Sequence, residues 1–145
     1  MTMSAPDERF MQELHGASRA WRSALERRLK AHGLTAAGWS ALEEAAASTA
    51  PPSQRELARR LGVDGATLVA TIDRLAERGL VLRSAAAHDR RVKLIVTTEA
   101  GYALRDRVGA EAGVLRRQLL GRIDTDRIAA AAAVLEELRQ GLEDA

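Results

Sequence analysis

Between Ser53 and Gly101 the chain sets out helix, turn and strand signals in an order that leaves few folds open. Ser53-Gln54-Arg55-Glu56 is a capping box, in which the Ser hydroxyl and the Glu carboxylate can reciprocally satisfy free N–H groups at a helix start. The helix it opens near Gln54 must be short. Leu61-Gly62-Val63-Asp64 follows at once, with a Gly for a tight turn and an Asp able to cap the next helix. That next helix spans about Gly65 to Arg78, with Leu68, Ile72 and Leu75 spaced to face a core and Gly79 closing it. Leu80-Val81-Leu82-Arg83 and the run from Val92 to Thr97 have β-forming composition. The polar, Ala-rich segment between them reads as a hairpin loop.

Short helix, tight turn, helix and basic hairpin make up a winged helix-turn-helix, which places one helix in a DNA major groove and a charged hairpin beside the phosphates. The flanks are helical too. Apolar residues recur at helical spacing from Phe10 through Leu14, Trp21 and Leu25 to Leu29, predicting a first helix from about Glu8 to Ala31, ended by Gly33. Thr35 can cap a second helix carrying Trp39, Leu42 and Ala46, which stops before Pro51 and Pro52. Thr98 can cap a fifth helix reaching roughly Leu120, and a sixth begins at Asp124 or Thr125. The fold class is therefore mainly α with one small β-hairpin. We expect residues 35–98 to form the winged helix and residues 1–34 with 99–145 to form a helical dimerisation region, intertwined as one domain. The terminal helices are amphipathic, and two routes bury their apolar faces: pairing across a homodimer, or an intramolecular bundle. The dimer suits a helix-turn-helix protein, because two-fold symmetry matches a palindromic site.

Charge is distributed unevenly behind a net of +2. Residues 54–93 hold nine basic and five acidic side chains, whereas residues 1–53 are balanced and 94–145 are net acidic. A surplus on the helix-turn-helix segment is what phosphate binding requires, although charge alone also describes a solvated face. With no Cys there is no thiolate ligand, disulfide or thiol switch. His15, His32 and His88 are dispersed, and no metal, phosphate-cradling or triad pattern appears, so neither catalysis nor a cofactor is expected. No stretch has signal-peptide or membrane-spanning character, so we expect a cytoplasmic protein.

Leu34-Thr35 with Trp39 and Leu42, then Ser53-Gln54, Glu56-Leu57-Ala58, Leu61-Gly62, Asp73-Arg74-Leu75, Gly79-Leu80-Val81, Asp89-Arg90-Arg91 and Thr98-Glu99-Ala100-Gly101 together resemble the MarR family of bacterial transcriptional regulators. Trp21-Arg22, Arg28-Leu29, Pro51-Pro52-Ser53-Gln54, Leu68-Val69, Thr71 and Lys93 look most like its SlyA branch. The resemblance implies a homodimer associated with the bacterial nucleoid that binds double-stranded DNA at a pseudo-palindromic promoter site, commonly as a repressor, and that a small phenolic or aromatic carboxylate can release.

On this reading the fourth helix is the recognition helix. Its N-terminal half offers Thr67, Val69, Ala70 and Thr71, with hydroxyls for a base or phosphate and small apolar groups for thymine methyls. Many family members have Arg where this chain has Ala70, so affinity should shift toward the wing and the phosphates. Arg90 and Arg91 match the family's wing arginines, suited to a narrow minor groove. Asp89 should fix a neighbouring guanidinium and thereby the wing tip. Gln54, Arg55, Arg83 and Lys93 are expected at phosphates, and Arg74 at either a phosphate or an internal ion pair. In the wing, Ala85-Ala86-Ala87-His88 offers little polarity, and Thr97 stands where Leu is usual. Trp21, His32 and Trp39 could offer aromatic surface and a polar tip to an effector, or could be core and interface packing. The rival function is a helix-turn-helix-derived protein-interaction module with weak or no DNA binding, for which Ala70 is the warning sign.

Overall fold

The computed structural model describes residues 5–145. The elements run α1 (Pro6–Ala31), α2 (Ala36–Ala47), α3 (Gln54–Leu61), α4 (Gly65–Glu77), β1 (Val81–Ala86), β2 (Asp89–Thr97), α5 (Glu99–Leu120) and α6 (Thr125–Glu143). Five of the helices start where a short polar side chain accepts a hydrogen bond from an unpaired N–H of the first turn. Thr35 accepts from Gly38 (3.0 Å), Ser53 from Glu56 (3.1 Å), Asp64 from Thr67 (2.8 Å), Thr98 from Gly101 (3.0 Å) and Asp124 from Asp126 (3.0 Å). The capping box at Ser53 forms in one direction. The Glu56 carboxylate lies 3.7 Å from Arg60 on the next turn. Helix α1 begins two residues before Glu8, with Pro6 in its first turn, where the missing N–H costs nothing.

The core is aliphatic, as a chain with 3% aromatics requires. Leu29 of α1, Leu42 of α2, Leu57 of α3, Leu68 and Ile72 of α4 and Ile95 of β2 are fully buried in one cluster. Helix α5 joins it through Leu104 and Val108, and Arg105 reaches to 3.5 Å from Glu43 on α2. The chain divides into two compact units between Gly109 and Ala110, so α1, the winged helix and the first half of α5 fall in one unit. The second unit holds the rest of α5 and α6. Helix α6 has no buried residue, and Ile123, Val134, Leu135 and Leu142 are exposed in this unit.

The hairpin is longer than its sequence predicts. Strands β1 and β2 pair antiparallel from Val81↔Thr97 to Ala85↔Lys93 and close at Ala86↔Asp89, leaving only Ala87 and His88 in the turn. The alanines read as loop because their intrinsic β-propensity is low, but cross-strand pairing outweighs a preference that weak. A further strand-like contact lies outside the hairpin. Ile95 donates to the Pro52 carbonyl (2.9 Å) and Ser53 bridges Leu94, so the segment ahead of α3 is stitched to the wing. The base of α5 is equally tight. Thr98 donates through its hydroxyl to Gly79 O (2.6 Å) and through its N–H to Leu80 O (3.1 Å).

Candidate nucleic-acid interface

Three segments converge on one surface: the start of α3, the outer face of α4 and the wing. Arg83 of β1 touches all of them. Its Nη1 lies 2.7 Å from Asp73 Oδ1, its Nη2 donates to the Val69 carbonyl (3.2 Å), and its Nε donates to Gln54 Oε1 (3.0 Å). Arg83 and Gln54, both expected at phosphates, are thus bonded to each other.

In the wing, Asp89 accepts from the Arg91 backbone N–H (3.0 Å) and from its guanidinium at Nε (3.2 Å) and Nη2 (3.3 Å). The guanidinium, followed by the backbone bond, holds the Asp89 carboxyl below its ordinary value of 3.8. This is the brace expected of Asp89, and it leaves the Arg91 side chain 92% exposed. The register jumps between Lys93 and Asp89, so Arg90, Arg91 and Val92 lie in a stretch of β2 with no residue opposite. A bulge of this kind bends a strand and re-aims its side chains. Between the wing and the start of α3, Arg55, Arg91 and Lys93 share a cleft of about 550 Å³ with Ser53, Gln54, Asp89 and Val92. Its one carboxylate is the one Arg91 already engages.

Recognition-helix residues divide differently from the sequence reading. Ala66 and Ala70 are exposed and Val69 is 39% exposed. Thr71 is buried, and its hydroxyl donates to Thr67 O (3.0 Å) inside the helix, so it points away from any groove. The reason is periodicity: Thr71 lies three residues after Leu68 and four before Leu75, on the core side of α4. Thr67 is exposed, but its hydroxyl proton goes to Asp64 Oδ2 (2.8 Å), leaving it an acceptor. Bonds from the Thr67 N–H and then its hydroxyl keep the Asp64 carboxyl below 3.8.

Electrostatically, four of the five carboxylates between residues 54 and 93 are engaged: Glu56 with Arg60, Asp64 at its cap, Asp73 with Arg83 and Asp89 with Arg91. Arg78 donates to Gly33 O (3.0 Å). Among the described residues no carboxylate lies within ion-pair distance of Arg55, Arg59, Arg74, Arg90 or Lys93. Arg74, weighed as an internal ion pair, has none; Arg83 takes that role.

A second cavity, of about 510 Å³, lies between α1, α2, the α3–α4 turn and the first half of α4. Its walls are Arg22, Ala36, Ala37, Ser40, Leu61, Val63, Thr67, Leu68 and Thr71. Neither Trp nor His32 lines it. Trp21 is 37% exposed on α1, Trp39 is half-buried against the core, and His32 is half-buried at the end of α1. Arg22 and Ser40 each follow a Trp in the chain, but consecutive helical positions lie on different faces, so no local signal marks them. Among the described residues no group of three or more His, Asp or Glu side chains is placed to hold a metal, and no helix is long and apolar enough to cross a membrane.

This architecture recurs in proteins of known structure. The transcriptional regulator PA3341 is 40% identical, with a TM-score of 0.80, and the alignment covers 94% of this chain and 99% of that one. A MarR family transcriptional regulator from Rhodococcus sp. RHA1 is 27% identical, with a TM-score of 0.79 over 94% and 96% of the two chains. CouR from Rhodococcus jostii RHA1, solved bound to p-coumaroyl-CoA, is 28% identical, with a TM-score of 0.77 over 94% and 95%. The MarR family model matches residues 32–92, from the end of α1 to the bulge of the wing. With a shared winged helix, a shared sequence pattern and near end-to-end correspondence to a transcriptional regulator, the chain belongs to the MarR family of transcriptional regulators.

Proposed function

We propose that the protein is a non-enzymatic, sequence-selective DNA-binding repressor that acts in the cytoplasm as a homodimer on a pseudo-palindromic operator. One observation carries this reading. The cleft of Arg55, Arg91 and Lys93 opens beside a recognition helix that Arg83 ties to the wing, so phosphate-directed cations and a groove-sized helix belong to one surface. Each cation that neutralises a phosphate releases a counterion, so log K must fall linearly with log salt. The deciding experiment is a salt series on the duplex upstream of the protein's own gene and on duplexes enriched from a random pool. Arg55→Ala and Lys93→Ala should each lower affinity and reduce the salt slope by about 0.9, and Arg91→Ala should reduce it by less, because Asp89 already engages that guanidinium. Salt-independent association, or no duplex binding at low salt, would favour the protein-interaction module.

The dimer reading rests on the exposed apolar residues of α6 and on Phe10, Met11 and Trp21 along α1. So many large apolar side chains exposed on helices mark surface that a partner covers. Light scattering that gave a monomer at micromolar concentration would refute it.

A second reading concerns the 510 Å³ cavity, which holds one cation, Arg22, among Leu61, Val63 and Leu68. That lining suits a small apolar anion, and CouR was solved with the coenzyme A thioester of an aromatic acid. We place an effector here, against the α3–α4 turn and Thr67, where occupancy would bear on the start of the recognition helix. Salicylate and p-coumaroyl-CoA that leave the DNA affinity of wild type and Arg22→Ala alike would argue against it.

A further inference from the structure

We infer that Arg83 is a positioning residue, a three-way latch that holds the recognition helix at a fixed setting to the wing, and not a phosphate contact. The inference rests on the DNA-binding reading above. Its basis is the set of acceptors one guanidinium reaches. Asp73 and the Val69 carbonyl belong to α4, Gln54 opens α3, and Arg83 itself stands on β1 opposite Ile95. A planar fork with five donors in fixed directions can satisfy all three at once. The side chain is 28% exposed, far less than the 92% of Arg91.

The position of the grip gives it consequence. Val69, whose carbonyl accepts from Arg83, carries its side chain on the exposed face of α4, and Asp73 follows one turn later. The other end of the latch is the strand that leads to the bulge bearing Arg90 and Arg91. A helix in one groove and a wing at the adjacent backbone must engage together, so freedom between them is an ordering cost charged to binding. Arg83 removes that freedom beforehand. Its own charge is largely answered by Asp73, which leaves little for a phosphate.

Phosphate contact and latch predict opposite results in the same salt series. If Arg83 is a latch, Arg83→Ala weakens selective binding about tenfold or more, the scale of lost charge-assisted hydrogen bonds, while the salt slope stays at the wild-type value. Arg83→Lys, which keeps the charge but not the fork, does no better than Ala. Asp73→Ala also weakens binding, and the double variant is no worse than either single one, because both remove the same tie. If Arg83 contacts phosphate, the slope of Arg83→Ala falls by about 0.9, Lys rescues it, and Asp73→Ala tightens binding by freeing a cation. Any of those three results overturns the latch. Should Arg83→Ala fold poorly in thermal melts, Arg83→Lys and Asp73→Asn carry the comparison. Loss of all salt-dependent duplex binding by the wild-type protein is a separate outcome, which removes the DNA reading and the latch with it.

Discussion

Replacing Thr97 with Val should make the protein more stable. Thr97 ends β2 opposite the fully buried Val81, is itself buried, and has a hydroxyl oxygen with no hydrogen-bond partner. A buried hydroxyl left unpaired costs roughly 1–3 kcal/mol of desolvation. Valine has almost the same shape, keeps the methyl that lies toward Gly101, and exchanges the orphan oxygen for a second methyl in an apolar site. Both residues are good strand formers, so backbone preference contributes little. The net expectation is about 1–2 kcal/mol of added stability, or roughly 3–7 °C in Tm for a chain of this length. Urea unfolding at one fixed protomer concentration, with the m-value checked for constancy, is the assay. Thr97→Ser is the control, since it keeps the orphan oxygen and discards the packed methyl, and it should lose about 1 kcal/mol. A Val variant no more stable than wild type, at unchanged m, would refute the claim that this hydroxyl is a liability.

Gly101→Ala should destabilise by about 2 kcal/mol, the order of overpacking costs, because a Cβ at Gly101 would collide with the Leu80 carbonyl that also receives the Thr98 N–H; thermal melts measure it. The Asp64 cap is sensitive to acid. Its folded pKa is lowered, so its stabilisation is complete above the ordinary value of 3.8 and is lost as pH falls through the lower folded value. Asp64→Asn, which caps without titrating, should therefore lose less stability than wild type over that interval in acid titrations followed by circular dichroism. On DNA, replacing operator thymines that face α4 by deoxyuridine should cost about fourfold per contacted methyl, since the groove-facing stripe of that helix offers Ala66, Val69 and Ala70. Unchanged affinity across all such sites would show that the bases are read by another element.

Local chemistry was legible in the sequence, and long-range partnership was not. The caps at Thr35, Ser53, Asp64, Thr98 and Asp124 could be read because a cap is decided within one helical turn. Asp89 could be read for the same reason, since its partner stands two residues away. The burial of Thr71 was also available, from its spacing to Leu68 and Leu75, but hydroxyl chemistry drew attention to the wrong side of the helix. Strand length at Ser84–Ala86 and the stitch from Pro52 to Ile95 depend on a neighbour supplied by the fold, and no local preference announces them. The cavity beside Arg22 draws on α1, α2, the end of α3 and the first half of α4, segments that only tertiary packing brings together.

The arginine absent at position 70 and the arginine present at 83 are one arrangement seen from two sides. Residues 70 and 73 are three apart on α4, so an Arg at 70 would be a helical neighbour of the Asp73 carboxylate. In this chain Asp73 is taken by Arg83 at 2.7 Å, which also holds Gln54 and the backbone beneath the reading face. A second guanidinium at 70 would compete for that carboxylate and pull against the tie to the wing. With Ala70 the carboxylate serves one partner, the exposed face of the helix stays smooth, and Arg55 and Lys93, which have no ion-pair partner among the described residues, line the cleft beside the wing. On the proposed DNA-binding reading, the lack of a long reader at position 70 transfers discrimination toward methyl contact and DNA shape. That transfer works only if the helix cannot rock, because a short side chain has no reach with which to make up for a misplaced backbone.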